Sequence, residues 1–265
     1  MFAIRWLKPF AFVTFVGYLA ASVVLLPGGW SGALHWLQLT VFLSLFFGIA
    51  LVWTGQQRER WVREAPLPHF LKRKVRQTYP HLCGKDLELV ERGLRQFFLS
   101  CLRSNKQFVA MPSRVVDAMW HEFILHTKAY KDWCSVGLGW FLHHTPAEAL
   151  GKKARNNDGL RRAWYWACKD EGINPHSPTR LPLLFALDAK LHIANGFTYA
   201  SNCADINQKN ANGGVYCGTD FSNDSYAGDA EAFGGSEPAK DAGSAGDLSD
   251  GSSDGCSGGG CGGGD

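Results

Sequence analysis

Residues 9–26 read PFAFVTFVGYLAASVVLL and residues 33–53 read ALHWLQLTVFLSLFFGIALVW. No Asp, Glu, Lys or Arg occurs between Lys8 and Arg58. A bilayer core about 30 Å thick takes roughly 20 apolar residues in helix. The 21-residue run therefore spans it comfortably and the 18-residue run narrowly. Pro27-Gly28-Gly29 between them breaks a helix and suits a tight turn. Trp30 and Trp36 favour the headgroup level, where His35 is most simply interfacial. Residues 1–56 are thus expected to form a two-span transmembrane hairpin.

Cations orient the hairpin. Arg5 and Lys8 precede the first span; Arg58, Arg60, Arg63, Lys72, Arg73, Lys74 and Arg76 follow the second. The positive-inside rule places both termini in the cytoplasm, as a multi-pass protein of the inner (cytoplasmic) membrane. Arg5 and Lys8 also fit a cleaved signal peptide with Ala20-Ala21-Ser22 near its cleavage site. The second span would then still hold the remainder inside. The seven cations at 58–76 are expected to face anionic lipid headgroups. No recognition motif accompanies them, so no nucleic acid is expected as a partner.

From 57 to 222 the periodicity is helical, and the fold class is all-α. Leu87, Val90, Leu94, Phe97, Phe98 and Cys101 recur at three- and four-residue steps, a core-facing stripe. A second helix begins at Ser113, a candidate N-cap, and runs to about Cys134, ended by Gly137 and Gly139. A third starts after Asn157 and stops at Gly172; a short fourth covers roughly 182–194. Cys83, Cys101, Cys134 and Cys168 lie in helical, mostly apolar surroundings, as buried free thiols do. Cys203 and Cys217 flank a Gly/Asn-rich loop, but a cytoplasmic location argues against their pairing. No CxxC occurs, which excludes a zinc ribbon.

The chemistry-bearing residues cluster between Asp117 and His144: Trp120, His121, His126, Tyr130, Cys134, His143 and His144. Imidazole and thiolate suit zinc or another transition metal. His121-Glu122 opens a zincin motif, but His121 and His126 are five residues apart, about 140° around a helix, and cannot share one ion. The candidate metal ligands are His121, His143, His144 and Cys134. Asp117, four residues before His121, is placed to orient its imidazole. The simpler reading, which leads, is that His121 hydrogen-bonds Asp117 and a backbone group while Trp120 fills the core. Arg161-Arg162 with Trp164, Tyr165 and Trp166 reads as a binding surface, or more simply as a helix with buried rings and solvated arginines.

Asp117, Trp120-His121, Leu125, Tyr130 and Cys134 resemble the signature D-x-x-W-H-x-H-x-L-x4-Y-x3-C of the glycine-rich domain-containing protein-like family, here as a membrane-anchored bacterial member. Phe108 to Ser113 is similar to that family's lead-in. The resemblance covers about residues 85–150. It implies a helical module of interaction or regulatory type, without established catalysis and with a protein partner. One departure stands out: the second histidine of the signature is Phe123 here.

Residues 223–265 hold 13 Gly and nine acidic residues against Lys240 alone. Too few apolar groups remain to offset the entropy of ordering, so a disordered acidic tail is expected. As a solvated acidic linker the tail needs no function; the functional reading is that its thiols, Cys256 and Cys261, in Ser/Gly spacers, serve redox capture, metal delivery or modification. The tail carries −8 and residues 1–222 carry +11, so the tail could fold back on the basic face.

Overall fold

The computed structural model describes residues 10–18, 20–21, 30–145, 158–201, 215–222 and 235–236. It is mostly helical. Helix α1 (10–18) lies against α2 (Trp30–Glu64). Phe15 stacks on Phe47 at 5.7 Å, while the Tyr18 hydroxyl donates to the Trp36 carbonyl at 3.2 Å. A later residue in α1 meets an earlier one in α2, so the two run antiparallel. The turn at 27–29 and most of 19–26 lie outside the described residues. Among the described residues one helix, Trp36–Glu64, is long and apolar enough to cross a membrane. Its side chains Leu37, Val41, Phe42, Leu45, Ile49 and Val52 all point outward.

Helix α2 does not stop where the apolar run stops. It continues through Glu64 and enters the folded domain, where Val62 is buried and Trp61 meets Trp133 of a later helix at 5.1 Å. Arg103 reaches back to Glu59 (2.6 Å) and across to Asp170 (3.3 Å), and Arg63 also pairs with Asp170.

The domain is built round α4 (Gly84–Arg103). Its expected stripe, Leu87, Val90, Leu94, Phe97, Phe98 and Cys101, is entirely buried. Packed against it are α3 (Phe70–Thr78), α5 (Arg114–Leu125), α7 (Asp158–Asp170) and α8 (Leu183–Lys190). Helix α6 (Thr127–Gly137) packs on α2 and α5. Gly93 allows the closest approach on α4: a Cβ there would lie 2.4 Å from Leu187 Cδ1.

Four expectations need correction. The helix expected from Ser113 to Cys134 is two helices, broken at His126 (φ −91°, ψ 63°). The basic segment, helical as expected, does not turn all its cations outward: it contains α3, whose Leu71 and Val75 are buried, and its Lys72 pairs with Glu91. Short strands are present too: in the domain β2 (Thr198–Ala200) pairs in parallel with β3 (Val215–Cys217), while β1 (His144–Thr145) pairs antiparallel with β4 (Gly235–Ser236), two residues of the tail expected to be disordered. Finally, Cys217 is disulfide-bonded, with a partner outside the described residues. Of the tail, Gly235 and Ser236 alone are described; Cys256 and Cys261 lie outside.

Candidate metal centre

Helix α5 carries the cluster and is held firmly at its start. The Ser113 hydroxyl accepts from the Val116 N–H at 3.3 Å. Asp188 of α8, almost fully buried, accepts from the Ser113 hydroxyl (2.7 Å) and from the backbone N–H groups of Arg114 (2.7 Å), Val115 (3.2 Å) and Phe197 (3.0 Å). A carboxylate at the helix N-terminus thus satisfies donors that have no partner within the helix.

Four-residue spacing puts Asp117 and His121 on one face, with Asp117 Oδ2 3.5 Å from His121 Nδ1. The other carboxylate oxygen, Oδ1, lies 3.1 Å from Nε2 of His144. Candidate ligand atoms of Asp117, His121 and His144 all fall within 4.8 Å of one another. Ligand atoms about 2.0–2.2 Å from one ion can be at most about 4.4 Å apart. A small side-chain turn would bring the three ligand atoms within that distance. The freedom is there, since the His121 side chain is 52% exposed against 11% for His144.

His144 is brought in by a chain of buried hydrogen bonds. The Trp120 indole N–H donates to the Tyr130 hydroxyl (3.0 Å), which donates to the Leu142 carbonyl (2.6 Å). Leu142 is thereby pinned two residues before His144, whose ring lies against Trp120 (4.7 Å) and His121 (4.3 Å). Burial pushes the Tyr130 phenol far above its ordinary range, so it remains a neutral donor.

The other expected ligands lie elsewhere. His143 is exposed and packs on Phe141 at 4.7 Å. Cys134 is fully buried beside Tyr130; burial pushes its thiol up to about 11, away from the thiolate a metal requires. His126 lies against Phe70, with ring centroids 3.8 Å apart and the planes tilted by 30°. Phe123 is buried between Tyr130 (5.1 Å) and Trp133 (5.9 Å), so position 123 faces the core and not the cluster. Asp117, expected to orient His121, lies beside it and also meets His144, so its carboxylate is one of the three candidate ligands. Asp188 carried no recognisable signal, lying in the apolar run of α8.

Several of the cations between residues 58 and 76 are engaged inside the protein. Arg58 is half-buried, its pKa lowered by burial, and its guanidinium lies against Gly139; Lys72 pairs with Glu91 at 2.8 Å. Arg60, Arg73 and Arg76 are exposed and Lys74 partly so. In α7 the Trp164 ring is buried and donates to the Pro175 carbonyl (3.1 Å), while Arg162 donates to the Phe108 carbonyl (2.6 Å).

No curated protein and no solved structure matches the chain. A family model described as UCP032817-like matches residues 57–221, which takes in α3 to α8 and every residue of the Asp117 cluster. The chain belongs to the UCP032817-like family.

Proposed function

We propose that this protein is a membrane-tethered helical domain that holds one divalent transition ion, zinc or iron, through Asp117, His121 and His144. The observation that carries this reading is the convergence of two imidazoles and one carboxylate, from segments 27 residues apart, with ligand atoms within 4.8 Å. Two histidines and a carboxylate leave coordination positions for water or substrate, as zinc hydrolases and non-haem iron sites do. With the full chain purified in detergent without a His tag, plasma mass spectrometry should find about one equivalent of metal. Asp117→Ala and His144→Ala should lose it, and His143→Ala should keep it. A folded chain that takes up no metal on reconstitution would sink the proposal.

The glycine-rich domain-containing resemblance supports a second reading, an interaction or regulatory module without catalysis. Trp120, Tyr130 and Cys134 of its signature are internal scaffolding, a role that needs no metal. Capture of a specific protein partner by the metal-free chain would favour it.

For location, the proposal is a two-span hairpin with both termini cytoplasmic. The antiparallel α1–α2 contacts and the cations after residue 57 support it. The Cys217 disulfide points the other way, because cytosolic thiols stay reduced. A fluorescent-protein fusion after residue 222 should fluoresce in the cytoplasm. Activity of an alkaline phosphatase fused at the same point would reverse the topology.

A further inference from the structure

Where the end of α2 meets α4, α7 and α8 there is a cavity of about 650 Å³ that shares no residue with the Asp117 cluster. Its lining carries five cations, Arg63, Arg92, Arg95, Arg180 and Lys190, against two carboxylates, Asp170 and Glu171. Both carboxylates are already occupied. Asp170 pairs with Arg63 and Arg103, while Glu171 pairs with Arg180 and accepts from the Gln96 amide at 3.0 Å. Gln96 is buried, and its carbonyl accepts from the Leu184 N–H at 2.9 Å, so the acidic floor is locked. Arg95 is held by Glu91 at 2.6 Å and by the Val62 carbonyl at 2.9 Å. Arg92 and Lys190 line the cavity without an ion pair among the described residues, although Lys190 lies near enough to Asp86 to help lower its pKa.

An excess of cations over a fixed floor is a site for an anion. The Arg63 and Arg180 side chains line the cavity and are 44% and 57% exposed, so each can offer an anion the N–H donors that its carboxylate leaves unused. Their planar forks match phosphate oxygens two at a time. The volume lies within the roughly 300–1,000 Å³ of small-molecule sites. Leu89, Leu99, Leu181 and Leu183 add apolar wall for the organic part of a ligand.

Phosphate could come from a soluble molecule or from a lipid headgroup. Arg63 lies ten residues past Trp53 on one continuous helix, about 15 Å at 1.5 Å per residue, whereas the headgroup layer is only about 5–8 Å deep on each side. We propose that this cavity binds a soluble phosphorylated small molecule carrying at least two negative charges.

The test is calorimetric titration of inorganic pyrophosphate into the full chain in phosphatidylcholine nanodiscs at physiological salt. Saturable binding is expected. Arg92→Glu and Lys190→Glu should each weaken it at least tenfold, and Arg76→Glu, on α3 outside the cavity, should leave it unchanged. Circular dichroism melting checks that all three variants fold. Absence of saturable binding, or equal weakening by Arg76→Glu, would overturn the proposal. So would loss of pyrophosphate binding in phosphatidylglycerol nanodiscs, which would assign the cavity to lipid.

Discussion

Tyr130 links the core to the candidate metal centre through one hydroxyl, accepting from Trp120 and donating to the Leu142 carbonyl. Tyr130→Phe keeps the ring but leaves a buried indole N–H and a carbonyl unpaired, at about 1–3 kcal/mol each. Urea unfolding should show a loss of about 2–4 kcal/mol, and metal affinity should fall with it because His144 is no longer anchored. The neighbouring thiols are chemically quiet. Burial raises Cys134 to about 11 and Cys168 to about 12, so iodoacetamide at pH 8 should label exposed Cys83 and spare these two. Both thiols stay protonated in the fold after the unfolded chain has begun to ionise near 9. The native state then binds more protons, so stability should fall as pH rises from about 9 towards 11–12. The Asp117–His121 pair was legible in the sequence, because helical spacing alone puts four-apart residues together. The choice between His143 and His144 was not. Successive residues in extended chain point to opposite sides, and which side faces the cluster depends on the hydrogen bond at Leu142.

At the scale of elements, the break between α5 and α6 makes the site. In an unbroken helix residues 120 and 130 would stand about 15 Å apart along the axis. Reversal at His126 instead brings their side chains to 3.0 Å. No Gly or Pro marks this break, so the sequence read as one helix; the turn is held by His126 on Phe70 and by packing of α6 on α2. The α4 stripe was legible because one helix face is buried along its whole length. The cap on α5 was only half legible. Ser113 precedes its helix directly, but Asp188 arrives from 75 residues further on. Asp188→Ala should cost about 3 kcal/mol or more in urea unfolding, because four donors lose a buried acceptor. Gly93→Ala should cost about 1–3 kcal/mol by the same measure, as its Cβ would press on Leu187 and Val116.

At the scale of the molecule, the apolar runs were plain in the sequence, but the continuation of α2 beyond them was not. The stretch TGQQRERWVRE from 54 to 64 looks like a solvated linker, and only contacts with α4, α6 and α7 reveal its inner face. A fragment of residues 57–222 should therefore be more stable than one of 66–222. The shorter piece loses buried Val62, the Trp61–Trp133 contact and the Glu59–Arg103 pair. The difference should be about 3 kcal/mol or more in thermal unfolding, most of it from burial. A rigid stalk of this kind also works as a ruler. If α2 is seated in a bilayer, nothing between Trp53 and Glu64 can swivel, and the globular part rides at a set height and tilt. Its reach is then confined to a thin shell over one face of the membrane, and any rotation or piston stroke of the span would be delivered to the domain undamped.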